Sequence, residues 1–149
     1  MEWKEELQQH TKEAEKVVQG YLPEETGHQK LLIEASNYSV LVGGKRLRPM
    51  IMLESFKAFG GTGNVVEPFM AALEMIHSGS LVHDDLPCMD NDEYRRGNLT
   101  TWKKYGYDMA VLAGDKLFIY AFEIAAKAFA LTDRADLVGK AISILANKA

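Results

Sequence analysis

Hydrophobic residues recur along the chain at spacings of three and four, the period that places side chains on one face of an α-helix. One such stripe contains Phe69, Leu73 and Ile76. No stretch shows the alternation of apolar and polar residues that is typical of a half-buried β-strand. The pattern predicts six helices, over residues 3–19, 27–41, 49–59, 65–83, 107–129 and from 133 onwards.

Glycine, proline and aspartate mark the expected ends of these helices. Gly20 ends the first helix, and Pro49 suits the first turn of the third. Residues 84–101 are predicted to form a polar loop, and Asp133 is predicted to be the N-cap of the last helix.

The last two predicted helices carry more apolar surface than one buried face needs. The helix over 107–129 is apolar nearly all round, which is typical of a buried helix or of a contact between subunits. The final helix is still apolar at Ile142, Leu145 and Ala146, so we expect further chain or a partner to cover it. We therefore predict one all-α domain over residues 1–149, incomplete at its C-terminus.

Charge and cysteine content narrow the class of protein. The net charge of −4 argues against a general polyanion binder, so nucleic acid is not an expected partner. Cys88 is the only cysteine, which excludes an intrachain disulfide. No apolar run reaches the roughly 20 residues of a membrane span, and the N-terminus lacks the apolar core of a signal peptide. A soluble cytoplasmic protein is expected.

A crowded acidic segment follows the fourth predicted helix. Asp84–Glu93 holds five carboxylates within ten residues, and a bound divalent cation would relieve their mutual repulsion. The available ligands are oxygens, without the Cys and His spacing of a zinc site, which favours Mg²⁺. Pro87 turns the chain so that Asp90 can fold back towards the preceding aspartates. The alternative is a solvated acidic loop whose aspartates cap the helix.

Two basic segments accompany the acidic one. Arg95–Gly97 follows it directly, and Gly43–Pro49 joins a glycine pair to three cations and a helix start. Guanidinium groups and helix N-termini both suit phosphate, although ion pairing and a plain solvated turn are the alternatives. His77 lies about two turns before the aspartates, as either a ligand or a core histidine. Acidic and basic groups together indicate a diphosphate site, with no evident Ser-His or Cys-His pair.

The motifs in this order resemble the polyprenyl synthetase family, in particular its bacterial farnesyl and geranylgeranyl diphosphate synthase branch. The segments that carry the resemblance are Gly43–Pro49, Glu74–His77, Leu81–Asp90, Arg95–Gly97 and Leu112–Asp115. The resemblance covers nearly the whole chain as the N-terminal half of such a protein. It implies an antiparallel all-α bundle of the isoprenoid synthase type, usually built as a homodimer around a deep cavity.

The same resemblance implies a role for each site residue. Asp84 and Asp90 would hold Mg²⁺ on the allylic diphosphate, Asp85 would support them, and Arg95 would bind that diphosphate. The residues that would bind isopentenyl diphosphate are Lys45, Arg48, His77 and Arg96.

The implied reaction is a head-to-tail condensation of isopentenyl diphosphate with dimethylallyl, geranyl or farnesyl diphosphate. Diphosphate leaves, the double bond attacks the allylic cation, and a proton is lost in a dry cavity. The helices over 65–83 and 107–129 are expected to supply its walls. Gly79 and Ser80 occupy the position that would set product length, and the glycine favours geranylgeranyl over farnesyl diphosphate without deciding between them.

Two departures from the family pattern limit this expectation. Gly97–Thr100 replaces a Gly-Lys-Pro-Thr segment and so lacks one cation, and the second aspartate-rich motif is missing. We expect this stretch to be inactive alone. The alternative is a non-catalytic subunit that modulates a partner. A terpene cyclase is disfavoured because the Gly43–Arg48 segment would hold a second diphosphate, and a cyclase has no second diphosphate substrate. The motif set also disfavours a plain helical interaction domain.

Overall fold

The computed structural model describes residues 2–149, and its regular secondary structure is almost wholly helical. Its elements are α1 (Glu2–Gly20), α2 (Lys30–Leu41), α3 (Leu47–Ala58), α4 (Glu67–Asp84), β1 (Tyr94–Arg95), β2 (Asn98–Leu99), α5 (Thr101–Tyr105), α6 (Tyr107–Ala126) and α7 (Ala135–Lys148). A 3₁₀ turn, Lys127–Ala130, follows α6. All six predicted helices are present, with ends shifted by a few residues, and the predicted all-α class is confirmed.

The predicted polar loop after α4 is wrong in part, because it contains a small antiparallel hairpin. Tyr94 pairs with Leu99 and Arg95 with Asn98. The two residues between the strands, Arg96 and Gly97, have φ values of 54° and 80°. Positive φ at both central positions is the type I′ geometry that matches the twist of a two-residue hairpin. The short helix α5 follows at once and was not predicted.

The predicted N-cap of the last helix is also wrong. Arg134, not Asp133, precedes α7, and its backbone N–H donates to the Thr132 hydroxyl at 3.2 Å. The Arg134 guanidinium then pairs with Asp136 in the first turn. Leu137 and Ile144 are 50% and 54% exposed, so α7 presents apolar surface as expected.

The described chain divides into two compact units, each assembled from separate segments. The first contains residues up to 21, 45–74 and from 121 onwards. Here α1 packs on α3 and on the start of α4, around Ala14, Val66 and Met70. An apolar groove of about 470 Å³ lies between α3, the start of α4 and α7.

The second unit contains residues 22–44 and 75–120. Val82, Leu86 and Ala110 form one buried cluster within it, with Trp102 and Val111 packed against this cluster. The hydroxyl of Tyr38 donates to the Leu99 carbonyl at 2.8 Å, and this bond fastens the hairpin to α2.

Helices α4 and α6 each contribute residues to both units. The prediction of a single domain stays a prediction. Within residues 2–149 no helix is both long and apolar enough to cross a membrane.

Candidate functional site

The acidic loop, residues 84–93, begins where α4 ends, and a backbone hydrogen bond closes it between residues 84 and 90. The N–H of Asp90 donates to the carbonyl of Asp84 at 2.8 Å. Inside this closure, the Leu86 carbonyl accepts from Met89 and Asn91 at 2.8 and 3.1 Å. Asn91 has a φ of 55°, a left-handed conformation that Asn tolerates better than most residues. The chain between Asp84 and Asp90 therefore folds back, as the sequence predicts.

Asp85 has a different environment from its neighbours. It is 3% exposed, and its two carboxylate oxygens accept from the Arg95 Nε, each at 2.9 Å. The Arg95 Nη2 also contacts the same carboxylate. The hydrogen bond to Asp85 raises the pKa of Arg95. Ion pairing, one of the alternatives for the arginine pair, therefore describes Arg95, and the contacts with Asp85 are made by the Nε–Nη2 edge of the guanidinium.

The acidic loop offers a magnesium ion few protein ligands. Asp84 is half-buried and Asp90 is exposed, while Asp85 is already engaged by Arg95. Among residues 2–149 no three carboxylate, imidazole or thiol groups converge as a protein-only metal site requires. Mg²⁺ is usually held by one or two carboxylates, waters and substrate phosphates. Two oxygen ligands at the ends of one closed loop fit that preference.

His83 anchors the last turn of α4 directly before these aspartates. Its Nε2 lies 3.1 Å from the Val111 carbonyl and 3.6 Å from an Asp115 oxygen. The ring packs edge-on against Phe118 and over Gly114. A Cβ at Gly114 would lie 2.2 Å from the His83 Nε2, so only glycine admits the ring there.

The two product-length positions lie one turn back on α4. A Cβ at Gly79 would meet the Gly114 carbonyl at 3.2 Å and the side chains of Leu117 and Phe118 at 3.3 Å. The missing side chain at Gly79 therefore allows close packing of α6. The Ser80 hydroxyl donates to the His77 carbonyl at 2.9 Å. A role for Gly79 and Ser80 in product length stays a prediction, as does ligation by the half-buried His77.

The cations of the basic loop, residues 43–48, differ in their exposure to solvent. Lys45 and Arg48 are exposed, whereas Arg46 is 2% exposed. Gly44 has a φ of 158°, and a Cβ there would lie 2.7 Å from the Arg96 Nη1. Glycine at this position therefore leaves room for the Arg96 guanidinium against the backbone.

The structure brings the acidic residues and part of the basic set into one unit. The second unit holds Asp84, Asp85, Asp90, Arg95, Arg96, His77, Gly79 and Ser80. The remaining two predicted ligands, Lys45 and Arg48, belong to the first unit. Gly44, against which Arg96 lies, directly precedes Lys45 in the chain.

Comparison with known proteins decides the family. The family model described as "Polyprenyl synthetase" matches residues 29–147. This chain belongs to the polyprenyl synthetase family. The predicted resemblance is confirmed at the level of the family.

Individual relatives agree with this placement. A geranylgeranyl diphosphate synthase from Cyanophora paradoxa is 47% identical over 121 residues, which are 81% of this chain and 40% of that protein. A farnesyl diphosphate synthase from Micrococcus luteus is 53% identical over 95 residues, 64% of this chain and 33% of that protein.

A solved structure supports the same conclusion about the fold. An FPP/GFPP synthase from Zymomonas mobilis superposes with a TM-score of 0.86 at 34% identity, covering 96% of this chain and 51% of the other. The predicted isoprenoid-synthase type of helical bundle is confirmed. The chain spans about half the length, or less, of these three members of the polyprenyl synthetase family.

Sequence reasoning gave no role to three residues that the structure places around these motifs. His83 lies in the Leu81–Asp90 segment but was given no role. The contact between the His83 ring and Gly114 was not predicted. Arg46 is one of the three cations of the Gly43–Pro49 segment, and its burial was not predicted. The available signal was Glu74, a carboxylate inside the apolar pattern of α4 that requires a buried partner.

Proposed function

We propose that this chain is the diphosphate-binding portion of a trans-prenyltransferase that joins isopentenyl diphosphate to an allylic diphosphate head to tail. The observation that carries the proposal is the closed acidic loop, in which the Asp90 N–H bonds the Asp84 carbonyl. A closed loop with an oxygen ligand at each end suits a metal shared with substrate phosphates. Membership of the polyprenyl synthetase family supports the reaction class.

Asp84 and Asp90 are the proposed magnesium ligands. Mg²⁺ would neutralise charge on the departing diphosphate of the allylic substrate. Asp85 holds the Nε–Nη2 edge of Arg95. We propose that the opposite edge of this guanidinium, at Nη1, binds the allylic diphosphate, so that Asp85 supports the site by orienting Arg95 rather than by binding metal.

The second substrate, isopentenyl diphosphate, is assigned to the remaining cations and the histidine. Lys45 and Arg48 are exposed on either side of a buried residue, which leaves their charges available to an anion. Arg96 lies against Gly44, and His77 is half-buried on α4. The C–O bond of the allylic diphosphate would break, a C–C bond would form to isopentenyl diphosphate, and one proton and diphosphate would leave.

Several finer assignments belong to the same proposal. The allylic substrate is dimethylallyl, geranyl or farnesyl diphosphate, and the product is farnesyl or geranylgeranyl diphosphate. The active protein is proposed to be a cytoplasmic homodimer. A non-catalytic modulating subunit is the less favoured function, because a subunit without catalysis has no need of the closed acidic loop and its paired arginine.

The magnesium assignment is tested by replacing one ligand of the pair. Asp84→Ala is expected to abolish Mg²⁺-dependent binding of unreactive geranyl thiolodiphosphate, because it removes one of the two carboxylates that share the ion. Isothermal titration calorimetry with and without Mg²⁺ measures this. Asp92→Ala is the matched control, since it removes an exposed carboxylate of the same loop. Equal affinity of Asp84→Ala and wild type would sink the assignment.

A further inference from the structure

Arg46 lies in the middle of the basic loop, but its guanidinium is fully engaged inside the first unit. Its Nε donates to Glu15 Oε2 at 2.6 Å and its Nη2 to Glu15 Oε1 at 3.0 Å. Its Nη1 donates to Glu74 Oε1 at 2.6 Å. Glu15 comes from α1 and Glu74 from α4, and Glu74 is 3% exposed. All three guanidinium nitrogens therefore serve two carboxylates, so Arg46 is a poor candidate for a phosphate ligand.

The ion cluster coincides with an unfavourable backbone conformation. Arg46 has φ 48° and ψ 32°, the left-handed region that L-residues other than Gly, Asn and Asp seldom adopt. Such a conformation persists only where surrounding contacts impose it. Burial by itself would lower the pKa of Arg46, but the hydrogen bonds to Glu15 and Glu74 outweigh it and raise the pKa. The guanidinium thus stays charged and the cluster intact.

The left-handed turn decides where the neighbouring cations lie. Arg46 is the N-cap of α3, and its carbonyl accepts from the Met50 N–H at 3.2 Å, which starts the helix. The side chain of Arg46 is turned into the core while Lys45 and Arg48, on either side, are exposed. If the cluster were lost, the turn could relax and both exposed cations would move with it.

We propose that Arg46, Glu15 and Glu74 form a positioning cluster that fixes the basic loop so that Lys45 and Arg48 together hold the diphosphate of isopentenyl diphosphate. This role rests on the proposed function for its ligand. The cluster touches no substrate and acts through the backbone of the loop. The proposal gives a role to Glu15 and Glu74, two carboxylates outside the acidic loop.

Replacing a carboxylate of the cluster separates positioning from simple electrostatics, because the two predict opposite signs. Glu15→Gln removes a negative charge, which on Coulomb attraction alone would tighten anion binding. It also reduces the acceptor oxygens that residue 15 offers to Arg46 from two to one. Positioning therefore predicts an affinity for isopentenyl diphosphate weaker by about tenfold, as for a binding group displaced by a fraction of an ångström to an ångström. Affinity for geranyl thiolodiphosphate is expected to stay unchanged.

The matched control is Glu13→Gln, which removes a carboxylate from the same helix at an exposed position, where Glu13 accepts a hydrogen bond from Gln9. It is expected to change the affinity for isopentenyl diphosphate by less than about twofold, because exposed charges are screened. Glu74→Gln, a second variant that alters the other arm of the cluster, is expected to weaken binding in the same direction as Glu15→Gln. Calorimetry at an ionic strength of about 0.15 M, where exposed charges are screened, gives the affinity of the wild type and of the three variants.

A second readout does not depend on any diphosphate. Amide hydrogen exchange of residues 43–48 in the free protein is expected to accelerate in Glu15→Gln and not in Glu13→Gln. If the wild-type chain binds no isopentenyl diphosphate, the proposed function fails, and faster exchange confined to this loop would still support the positioning cluster. Tighter or unchanged binding by Glu15→Gln, or unchanged exchange in the loop, would overturn the inference.

Discussion

Asp84 and Asp85 are adjacent in sequence but have different surroundings. This difference is why we propose Asp84 as a metal ligand and Asp85 as the partner that orients Arg95. Asp84 is half-buried at the start of the acidic loop, whereas Asp85 is buried and accepts three contacts from Arg95. Removing one partner of a buried ion pair is costly, because the other charge is left without compensation. The sequence motif alone cannot make this distinction, because it gives both residues the same chemistry.

Asp85→Asn is expected to lower the free energy of unfolding by about 2 kcal/mol, since it leaves the Arg95 guanidinium without its charged acceptor. Asp92→Asn is the control, because its carboxylate is 55% exposed and lies 4.0 Å from the same guanidinium. The control should change stability by no more than about 0.5 kcal/mol. Urea denaturation followed by circular dichroism compares the two variants. Equal losses of stability would contradict the distinct role of Asp85.

Within the second unit, α4 and α6 pack where each helix carries a glycine. Gly79 faces the Gly114 carbonyl, and Gly114 in turn leaves room for the His83 ring. Glycine in a helix interior normally costs stability. Here the missing side chains allow the helices to approach and let His83 reach the Val111 carbonyl. The packing of two helices therefore fixes the residue that precedes the acidic loop.

Gly114→Ala is expected to destabilise the protein by about 1–3 kcal/mol, because the new methyl group must displace the His83 ring. Gly139→Ala in α7 is the matched control, since a Cβ there meets nothing within 4 Å. Alanine at that open site is expected to stabilise the protein by about 0.5–1 kcal/mol through helix propensity. Chemical denaturation of both variants checks the opposite signs, and stabilisation by Gly114→Ala would refute the close approach.

The elements show which parts of the fold the sequence can predict. The helices could be predicted from the spacing of apolar residues, and their ends from glycine and proline. All six predicted helices are present. The hairpin was missed because two-residue strands are too short to show alternation, and its turn uses Arg96 with Gly97 in place of the usual Asn-Gly. Burial of Arg46 was missed because its partners, Glu15 and Glu74, lie 31 and 28 residues away along the chain.

The whole chain carries a net charge of −4, so the diphosphate binding that we propose must come from local groups and not from the overall field of the protein. In the described part of the chain no three potential metal ligands converge. Under the proposed function, magnesium and the diphosphate would bind together at Asp84 and Asp90. Each would supply what the other lacks, the ion by neutralising phosphate and the diphosphate by adding oxygen ligands.

This dependence predicts a non-additive effect on thermal stability. Mg²⁺ alone and geranyl thiolodiphosphate alone should each leave the unfolding midpoint nearly unchanged. Together, at about one hundred times the dissociation constant, they should add about 2.7 kcal/mol to the free energy of unfolding. For a chain of this size that corresponds to a rise of roughly 5–10 °C in the midpoint. Scanning calorimetry measures the shift, and a chelator added to the ternary mixture should reverse it.

Asp90→Asn is the control that ties this effect to the acidic loop. The substitution keeps the backbone bond from residue 90 to the Asp84 carbonyl but removes one of the two charged ligands. The joint stabilisation should then largely disappear while the midpoint of the free protein stays close to that of the wild type. A full shift in Asp90→Asn would place the metal elsewhere. A shift with Mg²⁺ alone would mean that the protein binds the ion without its substrate, contrary to a site built from only two carboxylates.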